Sequence, residues 1–215
     1  MANNDDFMKV LAKNVTLQFP KLNQTYRFNT AQQKSEPCAP TASNAAWSIG
    51  FEMSKADAKP IFDQLKAHYD ACRSRNSKMP QFKTIFGMKK NDETGTVTFS
   101  AKRNGMKKDG SPNKAPTVID GQKQPLADLN IWGGSKGTVR AWAVAVVDPE
   151  GNGGISLLLD AVQVTEARYG DGGMDDFDTV ENKSDPFETK PLAEEKRQAI
   201  QQSMDDEIPW MMEWR

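Results

Sequence analysis

Residues 137–164 read GTVRAWAVAVVDPEGNGGISLLLDAVQV and contain the two most apolar runs of the chain. The runs cover residues 137–147 and 154–164, and both are rich in the aliphatic residues typical of buried strands. Residues 148–153 (DPEGNG) separate them, and their proline and glycines favour a tight turn. The stretch therefore predicts a β-hairpin, and strand patterns recur outward from it.

Further strands are predicted N-terminal to this hairpin. Residues 14–19 alternate apolar and polar side chains and stop at Pro20, which predicts a half-buried first strand. Residues 45–53 repeat the alternation, whereas the polar stretch 29–44 has the composition of a loop. Two more strands are predicted at residues 94–103 and 116–120.

One helix is predicted between these strands. The Ser54 hydroxyl is placed to accept a hydrogen bond from the Asp57 amide, and apolar residues follow at helical spacing from Ile61 to about Cys72. Five or six strands with one intervening helix indicate a mainly β protein, an OB-like Greek-key barrel, although other small barrels share this count.

The formal net charge of −1 conceals a division of charge along the 215 residues. Residues 1–169 hold 23 Lys and Arg against 16 Asp and Glu, whereas residues 170–215 hold 5 against 13. The cations are concentrated at residues 73–123, where 12 stand against 4 acids. A basic body joined to an acidic end suggests a polyanion partner for the body and a separate or self-masking role for the end.

Aromatic residues are interleaved with these cations, and neighbouring strands add Tyr26 and Phe28. Cations neutralise phosphates with release of counterions, and aromatic rings stack on exposed bases for about 1–3 kcal/mol each. Because stacking depends little on base identity, the mixture predicts sequence-tolerant binding of a single strand. Taken singly, the aromatic residues also fit a core and the lysines a solvated surface. The predicted contacts are Arg73, Arg75, Phe82, Lys83, Phe86, Lys89, Lys90, Phe99, Lys102, Arg103, Lys107, Trp132, Lys136, Arg140 and Trp142.

Arg140 and Trp142 share one strand face and leave two alternatives open. If that face lines a groove, Arg140 contacts phosphate and Trp142 contacts a base. If the face packs under the helix, Trp142 belongs to the core and Arg140 requires a carboxylate partner.

The remaining motifs do not predict an enzyme. The glycine loop at 133–137 lacks the spacing of a phosphate-binding P-loop, and no serine lies in a nucleophile elbow. His68 and Cys72 would still lack metal ligands, and the acids at 171–178 do not match a calcium loop. We therefore expect no catalysis, no metal and no cofactor.

The composition also indicates a soluble intracellular protein. No run approaches the roughly 18 apolar residues of a membrane span, and the polar residues 1–6 do not resemble a secretory signal. The two cysteines, Cys38 and Cys72, are too few for a disulfide framework, so we expect free thiols.

The composition changes after Ala167, which divides the chain into a body at residues 1–167 and an acidic tail at 168–215. Residues 168–188 combine glycine and acids with few apolar residues and predict a disordered linker. A short helix is predicted at 191–204, followed by an interaction tip at 205–215. The partner-binding residues predicted in the tip are Asp205, Asp206, Glu207, Ile208, Pro209, Trp210 and Trp214.

The tip resembles the acidic C-terminal tip of bacterial single-stranded DNA-binding proteins, in which acids precede an Ile-Pro-aromatic ending. Acids would steer such a tip towards basic partner surfaces, and its apolar side chains would fill a pocket. In the bacterial proteins the aromatic residue ends the chain, whereas here MMEWR follows Trp210. Trp214 is therefore a second candidate for the operative aromatic residue.

The body is similar to phage single-stranded DNA-binding proteins of the OB-fold group over residues 10–167. The resemblance rests on the order of NVTLQFP at 14–20, FSAKR at 99–103, PTVID with QPL within 116–126, and GISL with AVQ within 154–163. It implies an OB fold, no catalysis, and binding of single strands in phage replication and recombination. The site of action would be the cytoplasm of the infected bacterial host.

Two other function classes stay open at this point. A metal-dependent nuclease or strand-annealing recombinase would use the acidic cluster and the basic face. A protein-interaction module would act through the tail, without DNA affinity in the body. For the leading interpretation we expect single-stranded DNA as ligand, replication or recombination proteins on the tail, and self-association on DNA.

Overall fold

The predicted hairpin forms the most extensive strand pairing of the protein, as seen in a computed structural model that describes residues 6–170. Its strands are antiparallel, and the Asp148 amide hydrogen bonds to the Asn152 carbonyl across the turn at 3.0 Å. In chain order the elements are β1 (Phe7–Asn29), β2 (Lys34–Cys38), β3 (Ala46–Ser54), α1 (Lys55–Arg75), β4 (Phe82–Ile85), β5 (Lys89–Asn91), β6 (Thr96–Asn104), β7 (Thr117–Ile119), β8 (Lys136–Val147) and β9 (Gly153–Glu166).

Five of these strands close into a barrel in the order β1-β3-β6-β9-β8. All of its pairings are antiparallel except the parallel pairing of β6 with β9. Because β9 pairs with β8 and β8 pairs with β1, this parallel pairing closes the barrel. This is the strand order of an OB fold, with β3 and β6 as its second and third barrel strands. The predicted OB-like fold is confirmed.

The first strand is much longer than predicted, because β1 continues through Pro20. It pairs with β8, then β3, then β2, and its ladder shifts register near Asn14 and Phe19. Both residues have positive φ, 53° and 46°, so the strand bends at each register shift. Proline is tolerated at such an irregularity since no regular ladder hydrogen bond is required there.

Three short strands fall in stretches with no predicted strand. The polar stretch at 29–44 contains β2, which pairs with the end of β1 in a hairpin. The basic segment after α1 contains β4 and β5, which pair with β9 and β6 at the margins of the barrel. None of these strands has a buried alternating face, so pattern alone does not reveal them.

The predicted helix is confirmed and ends three residues beyond Cys72, at Arg75. The Ser54 hydroxyl accepts from the Asp57 amide at 3.1 Å and donates to the Asp57 carboxylate at 2.6 Å. Ala58, Leu65 and Tyr69 are buried, and α1 touches all five barrel strands. The helix therefore contributes one face to the barrel core.

The core holds the inward residues of the barrel strands, and it corrects one predicted contact. Phe99 is fully buried and stacks on Phe51 with ring centroids 5.5 Å apart. Because an alternating strand with one buried face places every second side chain inside, Phe99 is a core residue and has no face for a base.

The thiol prediction is also confirmed, since Cys38 and Cys72 are both free. His68 lies 3.3 Å from the Asp6 carbonyl and 3.8 Å from the Cys72 sulfur. Among residues 6–170 no three His, Cys, Asp or Glu side chains are grouped to hold a metal ion. Within the same residues no helix has the length and apolarity that crossing a membrane requires.

Contacts divide the chain into units Met1–Gly172 and Gly173–Arg215. In the first, the Trp132 amide hydrogen bonds to the Arg168 carbonyl at 2.7 Å, and Tyr169 bridges to Ile131. The predicted boundary between residues 167 and 168 therefore falls just before two residues that contact Ile131 and Trp132. The predicted linker beyond residue 170, the helix at 191–204 and the tip at 205–215 lie outside the described residues.

Candidate nucleic-acid interface

A groove crosses the outer face of β1, β3 and β6. Its floor is made of small residues that point outward between buried neighbours, namely Ser48, Gly50, Thr98 and Ser100. A β-carbon at Gly50 would lie 3.1 Å from the Gln18 β-carbon, so glycine keeps the floor open where β1 and β3 approach. The cavity has a volume of about 340 Å³. We call it the basic groove.

Three lysines stand around the basic groove, Lys21 on β1, Lys89 on β5 and Lys102 on β6. Partial burial lowers the pKa of the Lys21 ammonium from 10.5, and the charge of Lys102 lowers it further. In the described part of the chain, none of the three forms an ion pair. Glu52 also lines the groove, where it accepts a hydrogen bond from the Thr98 hydroxyl at 3.4 Å. Three ammonium groups therefore stand against one carboxylate, and the net positive charge suits an anion.

Phe19 projects from the edge of the basic groove with 82% of its surface exposed. Its φ of 46° is the left-handed conformation, which costs a non-glycine residue about 1–3 kcal/mol. The conformation turns the ring outward, although residues 15 and 17 of the same alternation are buried. Strain that exposes a large aromatic ring beside unpaired cations is typical of a binding site.

Trp132 lies beside Phe19, and both line a second depression of about 580 Å³. The glycine loop positions it, since the Gly134 amide donates to the Leu17 carbonyl at 2.8 Å and the Leu17 amide donates to the Ser135 carbonyl at 2.7 Å. The indole is 56% exposed. Two exposed rings therefore flank one end of the groove.

A third depression, of about 620 Å³, continues the surface along the β1–β2 hairpin. It shares Lys21 and Lys102 with the basic groove and adds Arg27 and the exposed Phe28. The Lys21 ammonium lies 5.4 Å from the centre of the Tyr26 ring, a cation–π distance. Cations and aromatic rings alternate along the three depressions, as binding of a single strand requires.

Three predicted contact residues line these depressions: Lys89, Lys102 and Trp132. Three others, Arg103, Lys107 and Trp142, line a neighbouring depression that also contains Lys102.

The remaining predicted residues lie elsewhere. The Phe82 ring makes edge contacts with Phe62 and Tyr69, between α1 and β4. Near the same end of the barrel, the Lys83 ammonium donates to Asn152 at 2.7 Å and the Arg73 guanidinium to the Met79 carbonyl at 3.3 Å. Arg75 pairs with Asp6, and Lys136 pairs with Glu166. Phe86 lies beside Gly154, and Lys90 lines a pocket against α1.

Arg140 and Trp142 match neither alternative fully. Trp142 is 37% exposed, so it is not a core residue. Arg140 nevertheless has a carboxylate partner, since its guanidinium donates to Asp160 at 2.5 Å. Both point away from the barrel interior, on the face formed by β8 and β9.

Phe19 and Lys21 are residues of the basic groove that the predicted set lacks. The alternation placed Phe19 inside the first strand, and Lys21 stood beyond its predicted end. Pro20 is the signal that could have found them, because a proline within a strand marks a bulge that reorients its neighbours.

An OB barrel with an aromatic and basic groove over its second and third strands has the arrangement by which this class binds oligonucleotides. Comparison with solved structures agrees on the fold. The single-stranded DNA-binding protein of bacteriophage Enc34, in complex with single-stranded DNA, is 16% identical with a TM-score of 0.54, over 79% of this chain and 91% of that one. The T7 bacteriophage protein gp2.5, a single-stranded DNA-binding protein, is 16% identical with a TM-score of 0.54, over 83% and 98%.

A C-terminal truncation of the Enc34 protein matches at 14% identity with a TM-score of 0.52, over 77% of this chain and 92% of that one. No protein-family model matches this sequence, and comparison with curated proteins finds no match. The predicted resemblance to phage single-stranded DNA-binding proteins is thus confirmed in the fold.

Proposed function

We propose that this protein binds single-stranded DNA without catalysis and with little preference for sequence. The observation that carries the proposal is the basic groove, where Lys21 and Lys102 flank a floor of small residues beside the exposed Phe19. Phosphates would neutralise the lysines, and bases would stack on Phe19 and Trp132. The structural neighbours named above support the proposal, since their names describe single-stranded DNA binding.

The proposal places the DNA contacts at Phe19, Lys21, Lys89, Lys102 and Trp132. Other predicted contacts lie outside the three depressions and stay predictions, namely Arg73, Arg75, Lys83, Phe86, Lys90, Arg103, Lys136 and Arg140. Phe82 is the least suited of the set, since its ring already has two aromatic neighbours.

A salt titration with fluorescent oligothymidylate tests this function. Affinity should fall steeply with rising salt, by a slope of roughly 0.7 per neutralised phosphate in a log–log plot. The labelled strand should stay intact with Mg²⁺ or Mn²⁺ present. Absent or salt-insensitive binding would refute the proposal, and cleavage would favour a nuclease.

The acidic tail has a separate proposed role in phage replication and recombination, within the cytoplasm of the infected bacterial host. Its charge complements the basic body, so we propose that it competes with DNA and recruits replication or recombination proteins. Deletion of residues 171–215 should tighten DNA binding and abolish recruitment. Replacement of Asp205, Asp206 and Glu207 by the matching amides tests the tip alone, and unchanged DNA affinity after deletion would refute competition.

A further inference from the structure

One outward-facing row of residues connects the basic groove with the opposite side of the barrel. Ser48 pairs with Lys102, Lys102 with Leu158, and Leu158 with Trp142. Leu158 and Trp142 are 40% and 37% exposed, so the row lies on the surface. Since neighbouring strands lie about 4.8 Å apart, the Trp142 backbone is roughly 10 Å from that of Lys102.

A depression of about 410 Å³ covers this part of the row. Trp142 and Leu158 form its apolar side, and Lys102, Lys107 and Lys108 form its basic side. Lys102 also lines the basic groove. The two cavities therefore share Lys102.

A tight hairpin after β6 holds the two additional lysines in place. The Lys107 amide donates to the Ser111 carbonyl at 2.8 Å, and the Asn113 side chain donates to the Asn104 carbonyl at 2.9 Å. At the base of the hairpin, a β-carbon on Gly105 would lie 2.2 Å from the Pro40 carbonyl oxygen. Only glycine fits there, so the hairpin is seated firmly against the loop before β3.

The depression is positively charged, because its single acid is already neutralised. Asp160 lies 2.5 Å from Arg140 and 3.8 Å from Arg103. Neither Lys107 nor Lys108 forms an ion pair within the part of the chain that the structure describes. An exposed indole beside unpaired lysines has the chemistry that a further nucleotide requires.

We propose that Trp142, Lys107 and Lys108 form a second subsite for the same DNA strand. The strand leaves the basic groove at Lys102, crosses the junction of β6 and β9, and stacks a base on the Trp142 indole. Lys107 and Lys108 then contact the flanking phosphates. This inference rests on the proposed function, because the strand must first occupy the groove.

A length series of oligothymidylates tests the second subsite. Strands that fill only the basic groove should bind the parent protein and Trp142→Ala equally. Longer strands should bind the parent protein roughly 5- to 150-fold more tightly than Trp142→Ala, the range for loss of one stacked base. Phe19→Ala, at the edge of the basic groove, should weaken short and long strands alike. Val147→Ala, an exposed position on the same strand as Trp142, should weaken neither.

A double variant, Lys107→Gln with Lys108→Gln, gives a second measurement on an exposed hairpin. Its salt slope should fall by roughly 1.4 with long strands and stay unchanged with short ones. The subsite would be overturned if Trp142→Ala had equal effects on short and long strands, or no effect on either, and the double lysine variant kept the salt slope of the parent protein. Failure of the parent protein to bind any strand would instead refute the proposed function.

Discussion

Lys21 and Lys102 pair with the same residue, Ser48, from the two strands on either side of it. Their backbones are therefore two strand spacings apart, roughly 10 Å, with only a small hydroxyl between the side chains. Partial burial lowers the pKa of Lys21, and repulsion from the charge of Lys102 lowers it further. Folding gains nothing from this arrangement, whereas a phosphate placed between the two ammonium groups would remove the repulsion.

A carboxylate introduced between the two lysines should block DNA. In Ser48→Glu, the new side chain would neutralise both lysines and repel phosphate, so affinity should fall by roughly tenfold to a hundredfold. Fluorescence anisotropy with oligothymidylate measures the change. Ser48→Gln is the matched control of equal size, and equal affinities of the two variants would contradict a phosphate site here.

Removing either lysine should reduce the salt dependence of binding. Lys21→Gln and Lys102→Gln should each lower the salt slope by roughly 0.7, the value for one phosphate on a single strand. Lys66→Gln is the control, because Lys66 pairs with Asp70 at 3.0 Å on the exposed face of α1. If Lys66→Gln changes the slope as much as the groove variants, the charge acts diffusely and no groove is required.

Removing the Phe19 ring should weaken binding without weakening the fold. Phe19→Ala is expected to lose roughly 5- to 150-fold in affinity, the cost of one stacked base. Its thermal stability should stay unchanged, since the exposed ring makes little core contact and alanine keeps the β-carbon that strains the backbone at positive φ. Unaltered affinity in Phe19→Ala would exclude this ring as a stacking platform.

The opposite outcome is expected for the core aromatic residue. Phe99→Ala should lower the free energy of unfolding by about 3–5 kcal/mol, because it leaves a cavity beside Phe51. Urea denaturation measures this loss. At temperatures where the variant stays folded, its DNA affinity should match that of the parent protein, and a selective loss of affinity would restore Phe99 to the binding site.

The pH dependence of binding should report Lys21. A phosphate favours the charged ammonium, so bound DNA should raise the lowered pKa of Lys21. Affinity should therefore fall as the pH rises through the pKa of Lys21 in the free protein towards 10.5. Stability of the free protein should change in the opposite direction. Because the unfolded chain holds more protons on Lys21 across this window, the free energy of unfolding rises with pH there.

Binding curves and denaturant melts over the alkaline range separate these two effects. Lys21→Arg stays charged and should lose the fall in affinity over this window. A fall that persists in Lys21→Arg would assign the titration to another group.

Several elements follow directly from local pattern. The alternation around Trp47 and Val97 predicted β3 and β6, and the hydroxyl and acid at 54 and 57 predicted the start of α1. Alternation has a clear physical cause, since one face of each strand is buried and the other is not. Strands without a buried face, such as β2 and β5, give no such signal.

The site was predicted less completely than the fold, and Phe19 shows why. Its apolar neighbours at alternate positions predicted burial, but the pairing of β1 with β3 shifts register between Gln18 and Lys21, and β1 bulges there. A bulge of this kind is imposed by the closure of the barrel, which depends on strands distant in the chain. Local pattern therefore placed Phe19 on the wrong face.

The amino-acid sequence by itself determined the strands with a buried face, the helix, and the separation of a basic body from an acidic tail. Tertiary structure alone decided which cations meet. Lys21, Lys89 and Lys102 converge because β1, β5 and β6 bring them to one groove, whereas Arg73 lies in the last turn of α1 and Lys83 contacts Asn152 in the β8–β9 turn. The physical reason is that charge is a property of each residue, but proximity is set by strand register between distant segments.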